Sequence, residues 1–150
     1  MRQAVALRSN SNKSVVFRCS LEGYEDTLYA ENGLQLYLES DIYGTVDFVF
    51  GNAQALFQRC SLLVRRPLQG KHNVVTAQGC NNQSRESGFS FHMCSIGRVN
   101  WAGRSLLTHS SQALPYTADV FINASVWVPP PIAYDHGLGA APRRPRPPHA

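Results

Sequence analysis

Short apolar runs separated by small polar residues recur along the first two-thirds of the chain. Val15-Val16-Phe17, Leu36-Tyr37-Leu38, Ala55-Leu56-Phe57 and Phe89-Ser90-Phe91 each have strand character. Each leads into a small, polar, aliphatic triplet: Cys19-Ser20-Leu21, Ser40-Asp41-Ile42, Cys60-Ser61-Leu62 and Cys94-Ser95-Ile96. The first two steps between triplets are 21 and 20 residues, and the last is 34. Gly23 and Gly44 follow two of the triplets and suit turns. A short repeat with no helix-period pattern predicts a solenoid of stacked coils, a parallel β-helix whose coils bury their inward faces only against one another. The longer last step predicts one coil with an extended loop. An antiparallel sandwich also has many short strands with turns between them, and spacing alone leaves it open.

Past Ile96 the repeat stops. Residues 97–112 do not continue it, and the chain from Val126 to Ala150 is rich in proline, which cannot sustain a ladder; disorder is expected there. The chain therefore divides into a repeat region, 1–96, and a segment, 97–150, that ends in a disordered Pro/Arg-rich tail. Pro142 to Pro145 fits a Pro-x-x-Pro ligand, although a solvated tail is the plainer reading. With 150 residues and 43% apolar content, one modest core is within reach. Arg143, Arg144 and Arg146 supply most of the net charge of +4, so the body is close to neutral and no nucleic-acid partner is expected. No apolar run reaches membrane-span length, so no membrane partner is expected either. The apolar stretch within residues 1–8 is too short for a signal peptide. Four cysteines without a close pair argue against zinc and leave buried thiols or one disulfide. Tripeptides at Asn12, Asn82 and Asn123 fit the N-glycosylation pattern, which matters only in a secreted chain.

Two acidic residues gain meaning from this register. Asp26 lies three residues after Gly23 and Asp47 three after Gly44, so they stand 21 residues, one coil, apart. In a parallel β-helix such residues stack at about 4.7–4.9 Å, the inter-strand spacing. Two carboxylates held that closely push their pKa values apart, which lets one serve as ionised nucleophile and the other as protonated acid. Asp is also common in turns, so spacing leaves two solvated turn residues equally open.

The residues around them carry more. Gln3-Ala4-Val5-Ala6-Leu7-Arg8, Gly23-Tyr24-Glu25-Asp26-Thr27-Leu28-Tyr29 and the stretch Ile42-Tyr43-Gly44-Thr45-Val46-Asp47-Phe48-Val49-Phe50-Gly51-Asn52 resemble, in order and spacing, signature segments of plant-type pectin methylesterases. Thr76-Ala77-Gln78-Gly79 resembles a further one. The resemblance covers residues 3–96, a central part of that family's catalytic domain. It implies an all-β fold, a right-handed parallel β-helix, and hydrolysis of galacturonate methyl esters in pectin (homogalacturonan) with release of methanol. It also implies an extracellular place in the cell wall, a polysaccharide partner, and no metal or organic cofactor; a monomer is expected. Asp47 would be the nucleophile, Asp26 the acid and then the base, and Gln3 an amide donor to the oxyanion. Tyr29, Val46 and Phe50 match positions lining the sugar groove, with packing of the β-helix wall as their competing role.

The chain departs from the family pattern at three points. Glu25 stands where the family has glutamine as a second oxyanion donor. When ionised it only accepts hydrogen bonds, and it sets a negative charge where another must develop. Loss of one such donor costs on the order of 10²–10³ in rate. A protonated Glu25 still donates, and three clustered acids favour that form in part. The family's Gly-Arg-Pro-Trp arginine, which orients the nucleophile, has no counterpart: Arg104 is followed by Ser105 and lies too close to Asp47 in the chain. Ser40 stands where relatives have a cysteine paired with the one matching Cys60. Cys60 is then a buried thiol, and a crosslink worth roughly 3 kcal/mol is absent. The expected function is pectin ester hydrolysis at an impaired rate. The alternatives are a non-catalytic pectin-binding relative and a fragment without a stable fold, from a reading frame that departs near codon 97.

Overall fold

The computed structural model describes residues 4–79, 86–99 and 118–136. Its backbone winds as a parallel β-helix in which every coil gives one strand to each of three four-stranded sheets. The first sheet stacks β1 (Leu7–Ser9), β4 (Leu28–Ala30), β7 (Val49–Gly51) and β10 (Thr76–Gln78). The second stacks β2 (Ser14–Phe17), β5 (Leu34–Leu38), β8 (Gln54–Gln58) and β11 (Gly88–His92). The third stacks β3 (Ser20–Glu22), β6 (Asp41–Gly44), β9 (Ser61–Val64) and β12 (Ser95–Arg98). Val15, Leu36, Leu56 and Ser90 lie in register, as do Leu21, Ile42, Leu62 and Ile96. The repeat therefore reads off the second and third sheets, and parallel pairing removes the sandwich. The extra length of the last coil falls in two places, between β9 and β10 and between β10 and β11, rather than in one loop.

The corner between the second and third sheets explains the triplets. Arg18, Glu39, Arg59 and Met93 stack there, all with positive φ near 50°. A left-handed non-glycine residue costs energy at each turn. Ion pairs between successive coils offset part of it: Arg18 to Glu39 at 2.9 Å, Glu39 to Arg59 at 3.3 Å, and Arg59 onward to Asp135. One residue later the chain turns small and inward. The Ser40 hydroxyl donates to the Leu38 carbonyl oxygen at 2.9 Å and accepts from the Cys19 N–H at 3.2 Å. Cys60 is buried and free, as Ser40 requires, and its thiol donates to the Tyr37 carbonyl oxygen at 3.3 Å.

Period-two alternation splits the apolar residues between two layers. Inside the solenoid, Tyr37 and Phe57 stack with ring centroids 4.7 Å apart, and Phe91 continues the stack. Gln35 is buried beside them with its amide satisfied: Nε2 donates to the carbonyl oxygens of Ser9 and Asn32, and Oε1 accepts from the Tyr37 hydroxyl at 2.7 Å. Leu36, Leu38 and Leu56 face outward from the second sheet, yet they are fully buried. Residues 118–136 cover them: two short helices, α1 (Ala118–Phe121) and α2 (Ala124–Trp127), then an irregular stretch through Ile132 and Tyr134.

This corrects the expectation of disorder from Val126. Proline keeps residues 126–136 out of any ladder, but side chains tie their backbone down instead. Gln58 accepts from the Asp135 N–H at 2.6 Å and donates to the Asp135 carbonyl oxygen at 2.7 Å. Gln58→Ala removes both bonds to Asp135, leaving part-buried backbone groups without these partners at a cost of about 1 kcal/mol per bond. Denaturant unfolding should show that loss, and an unchanged midpoint would contradict it. The rest of the Pro/Arg-rich tail lies outside the described residues.

Candidate active site

Between the third and first sheets the chain passes twice through the same kind of corner, at residues 23–27 and 44–48. Asp26 (φ 59°) and Asp47 (φ 48°) occupy the left-handed position in each, where aspartate is tolerated better than most residues. The two corners are stitched together. The Thr45 N–H donates to the Tyr24 carbonyl oxygen at 2.7 Å, and the Asp26 N–H donates to that of Val46 at 3.0 Å. The buried Thr27 hydroxyl donates to the Tyr43 carbonyl oxygen at 2.7 Å. Gly44 is required by close approach, because a Cβ there would lie 2.1 Å from Cβ of the buried Phe48. Backbone bonds and core packing thus fix the two aspartates one coil apart, both half-buried.

The Asp26 carboxyl is pushed above its ordinary value of 3.8, first by burial, then by repulsion from Glu25 and Asp47; Lys71 pulls it partly back. A carboxyl raised in the folded state lends stability only while protonated. That contribution is complete below the unfolded value and is lost as pH rises through the folded one. Asp26→Asn removes this liability. The variant should melt higher than the parent near neutral pH, with the difference vanishing in acid; an equal shift at both would contradict the assignment.

Tyr29 and Phe50 stack on the outer side of the first sheet, with centroids 4.6 Å apart and planes within 6°. They belong to the register row Arg8, Tyr29, Phe50, Ala77. Arg8 lies 5.7 Å from the Tyr29 centroid and is held by a two-pronged ion pair to Glu31, at 2.6 and 2.8 Å. Each aromatic residue follows its aspartate by three positions, so a flat apolar face begins where the carboxylates end. Val46 is half-buried at this margin and supplies the carbonyl that holds Asp26.

Glu25 has a counter-charge. Lys71 Nζ lies 2.9 Å from its Oε2. The loop that carries Lys71, residues 65–75, is bonded onto the second corner: the Arg65 N–H donates to the Gly44 carbonyl oxygen at 2.8 Å and the Val74 N–H to that of Thr45 at 3.0 Å. The Arg65 guanidinium donates to the Gly23 carbonyl oxygen at 3.1 Å and pairs with Glu22 at 2.9 Å, lying 5.0 Å from the centroids of both Tyr24 and Tyr43. Sequence reasoning missed Lys71 and Arg65; the only signal was the extra chain between β9 and β10. Gln3 and Arg104 lie outside the described residues. Among the described residues, no group of three or more His, Cys, Asp or Glu side chains is placed to hold a metal ion.

The pectinesterase family model matches residues 1–98. "Probable pectinesterase/pectinesterase inhibitor 59" of Arabidopsis thaliana is 56% identical over 90 residues, which is 60% of this chain and 17% of that protein. The chain spans only 15% to 19% of the length of the curated Arabidopsis thaliana relatives it matches. Among solved structures, pectin methylesterase from carrot superposes with a TM-score of 0.80 at 26% identity, covering 91% of this chain and 65% of that one. That overlap extends past residue 98. A pectin methylesterase in complex with a hexasaccharide superposes at 0.55 with 31% identity, covering 59% of this chain and 27% of its own.

Proposed function

Because this chain belongs to the pectinesterase family, we propose that it hydrolyses the methyl esters of pectin, releasing methanol in the plant cell wall. The observation that carries the reading is the stacked pair of Asp26 and Asp47 at the edge of the Tyr29–Phe50 face, with Asp26 held above its ordinary pKa. In this reading the ionised Asp47 attacks the ester carbonyl carbon of a galacturonate unit. The tetrahedral oxyanion collapses, the C–OCH₃ bond breaks, and protonated Asp26 gives its proton to the departing methoxide. Asp26, now a carboxylate, takes a proton from water as that water attacks the acyl group on Asp47. The product carboxylate leaves and both aspartates regain their starting forms. Gln3 donates to the oxyanion, and Tyr29, Phe50 and Val46 hold the sugar ring against the first sheet. The hexasaccharide bound by a solved relative supports an extended groove of this kind.

Incubation of the purified chain with highly methylated pectin tests the reading. Methanol and new carboxylates should appear in equal amounts. Binding of pectin without methanol release would favour the non-catalytic, pectin-binding alternative.

A further inference from the structure

The carboxylates at the paired corners outnumber what ester hydrolysis asks for. Glu25, Asp26 and Asp47 lie within electrostatic reach of one another, and both Glu25 and Asp47 raise the Asp26 pKa. Once Asp47 has attacked and while Asp26 keeps its proton, the oxyanion forms beside the Glu25 carboxylate, and charges a few ångströms apart in a partly buried site interact by several kcal/mol. Lys71 answers that excess. Its ammonium sits 2.9 Å from Glu25 and also acts on Asp26 in the opposite sense to the two acids. The loop is held in place by bonds to the carbonyl oxygens of Gly44 and Thr45, the residues just before Asp47. With its nitrogen turned toward them, the Asn73 amide adds donations to the carbonyl oxygens of Arg65 and Thr45 at 3.2 Å. The same corner that sets the nucleophile therefore sets the lysine.

We propose that Lys71 is a positioning residue of the active site, a fixed cation that balances Glu25 so that the Asp26–Asp47 pair can work beside a third carboxylate. The proposal rests on the ester-hydrolase reading of the site. Lys71 does not replace the hydrogen-bond donor that Glu25 lacks; it removes the repulsion that an unpaired Glu25 would add. Among the described residues, the charged groups acting on Asp26 are Glu25, Asp47 and Lys71, and Lys71 alone of these lowers its pKa, so loss of Lys71 moves Asp26 upward.

Carboxyl NMR titration and methanol-release kinetics on the parent, Lys71→Met and Lys71→Arg decide the matter. Lys71→Met should raise the titration of Asp26, lower kcat about tenfold with little change in KM, and move the alkaline limb of the rate profile to higher pH. Lys71→Arg should restore most of all three. Lys71 is half-exposed on a loop, so the melting temperature should hold in both variants. An Asp26 titration that does not move in Lys71→Met, or a Lys71→Arg variant no better than Lys71→Met, overturns the proposal. If the parent releases no methanol, the ester-hydrolase reading fails, while the titration still decides whether Lys71 governs the carboxylate cluster.

Discussion

Asp47→Asn is expected to abolish methanol release, lowering kcat by roughly 10³-fold or more, while pectin binding and folding persist. The amide is nearly the same shape as the carboxylate but cannot attack a carbonyl carbon. Asparagine also tolerates the left-handed backbone found at Asp47, φ 48°, so the corner should not rearrange. The Tyr29–Phe50 face borders Asp47 but holds the sugar through ring contact rather than charge, so it should keep its hold. Residual activity above about one-tenth of the parent would assign the attack to another group. A loss of cooperative unfolding in the variant would show instead that the corner itself had failed.

Glu25→Gln works in the other direction. It returns an amide donor to the developing oxyanion and should raise kcat by about 10²-fold, the usual worth of one such donor. Lys71 balances the charge of Glu25 but supplies no hydrogen bond in its place, so the gain should survive the ion pair seen here. Removing Glu25 also removes one of the two repulsions on Asp26. Its carboxyl should then lose its proton at lower pH. With Asp26 as the proposed proton donor to methanol, the alkaline limb of the rate profile should move down by the same amount. A variant no faster than the parent would contradict the assignment of position 25 to the oxyanion.

Much of the fold was legible because a β-helix writes its period into the chain. The triplets at Cys19, Ser40, Cys60 and Cys94 are the corner between two sheets, and a small residue is needed where the chain turns inward. The first sheet was harder to read. Its strands are three residues long, and Tyr29 and Phe50 face outward, so they blur the alternation. The burial of Leu36, Leu38 and Leu56 on the outer face left no trace in the period either. Their cover comes from residues 118–136, whose prolines look like a tail and whose anchoring depends on Gln58, more than 70 positions away. At the site, Asp26 and Asp47 could be found from spacing and local wording. Lys71 could not, because a loop lysine has no periodicity and its partner Glu25 lies 46 residues earlier.

The nucleophilic role of Asp47 is tested most directly by mass spectrometry of the chain quenched in acid during turnover of a methylated oligogalacturonide. The predicted result is a fraction of the chain carrying one acyl group, mapped to the peptide that contains Asp47 and missing from Asp47→Asn. Methanol released with the acyl group on a different residue, or released equally by Asp47→Asn, would contradict it.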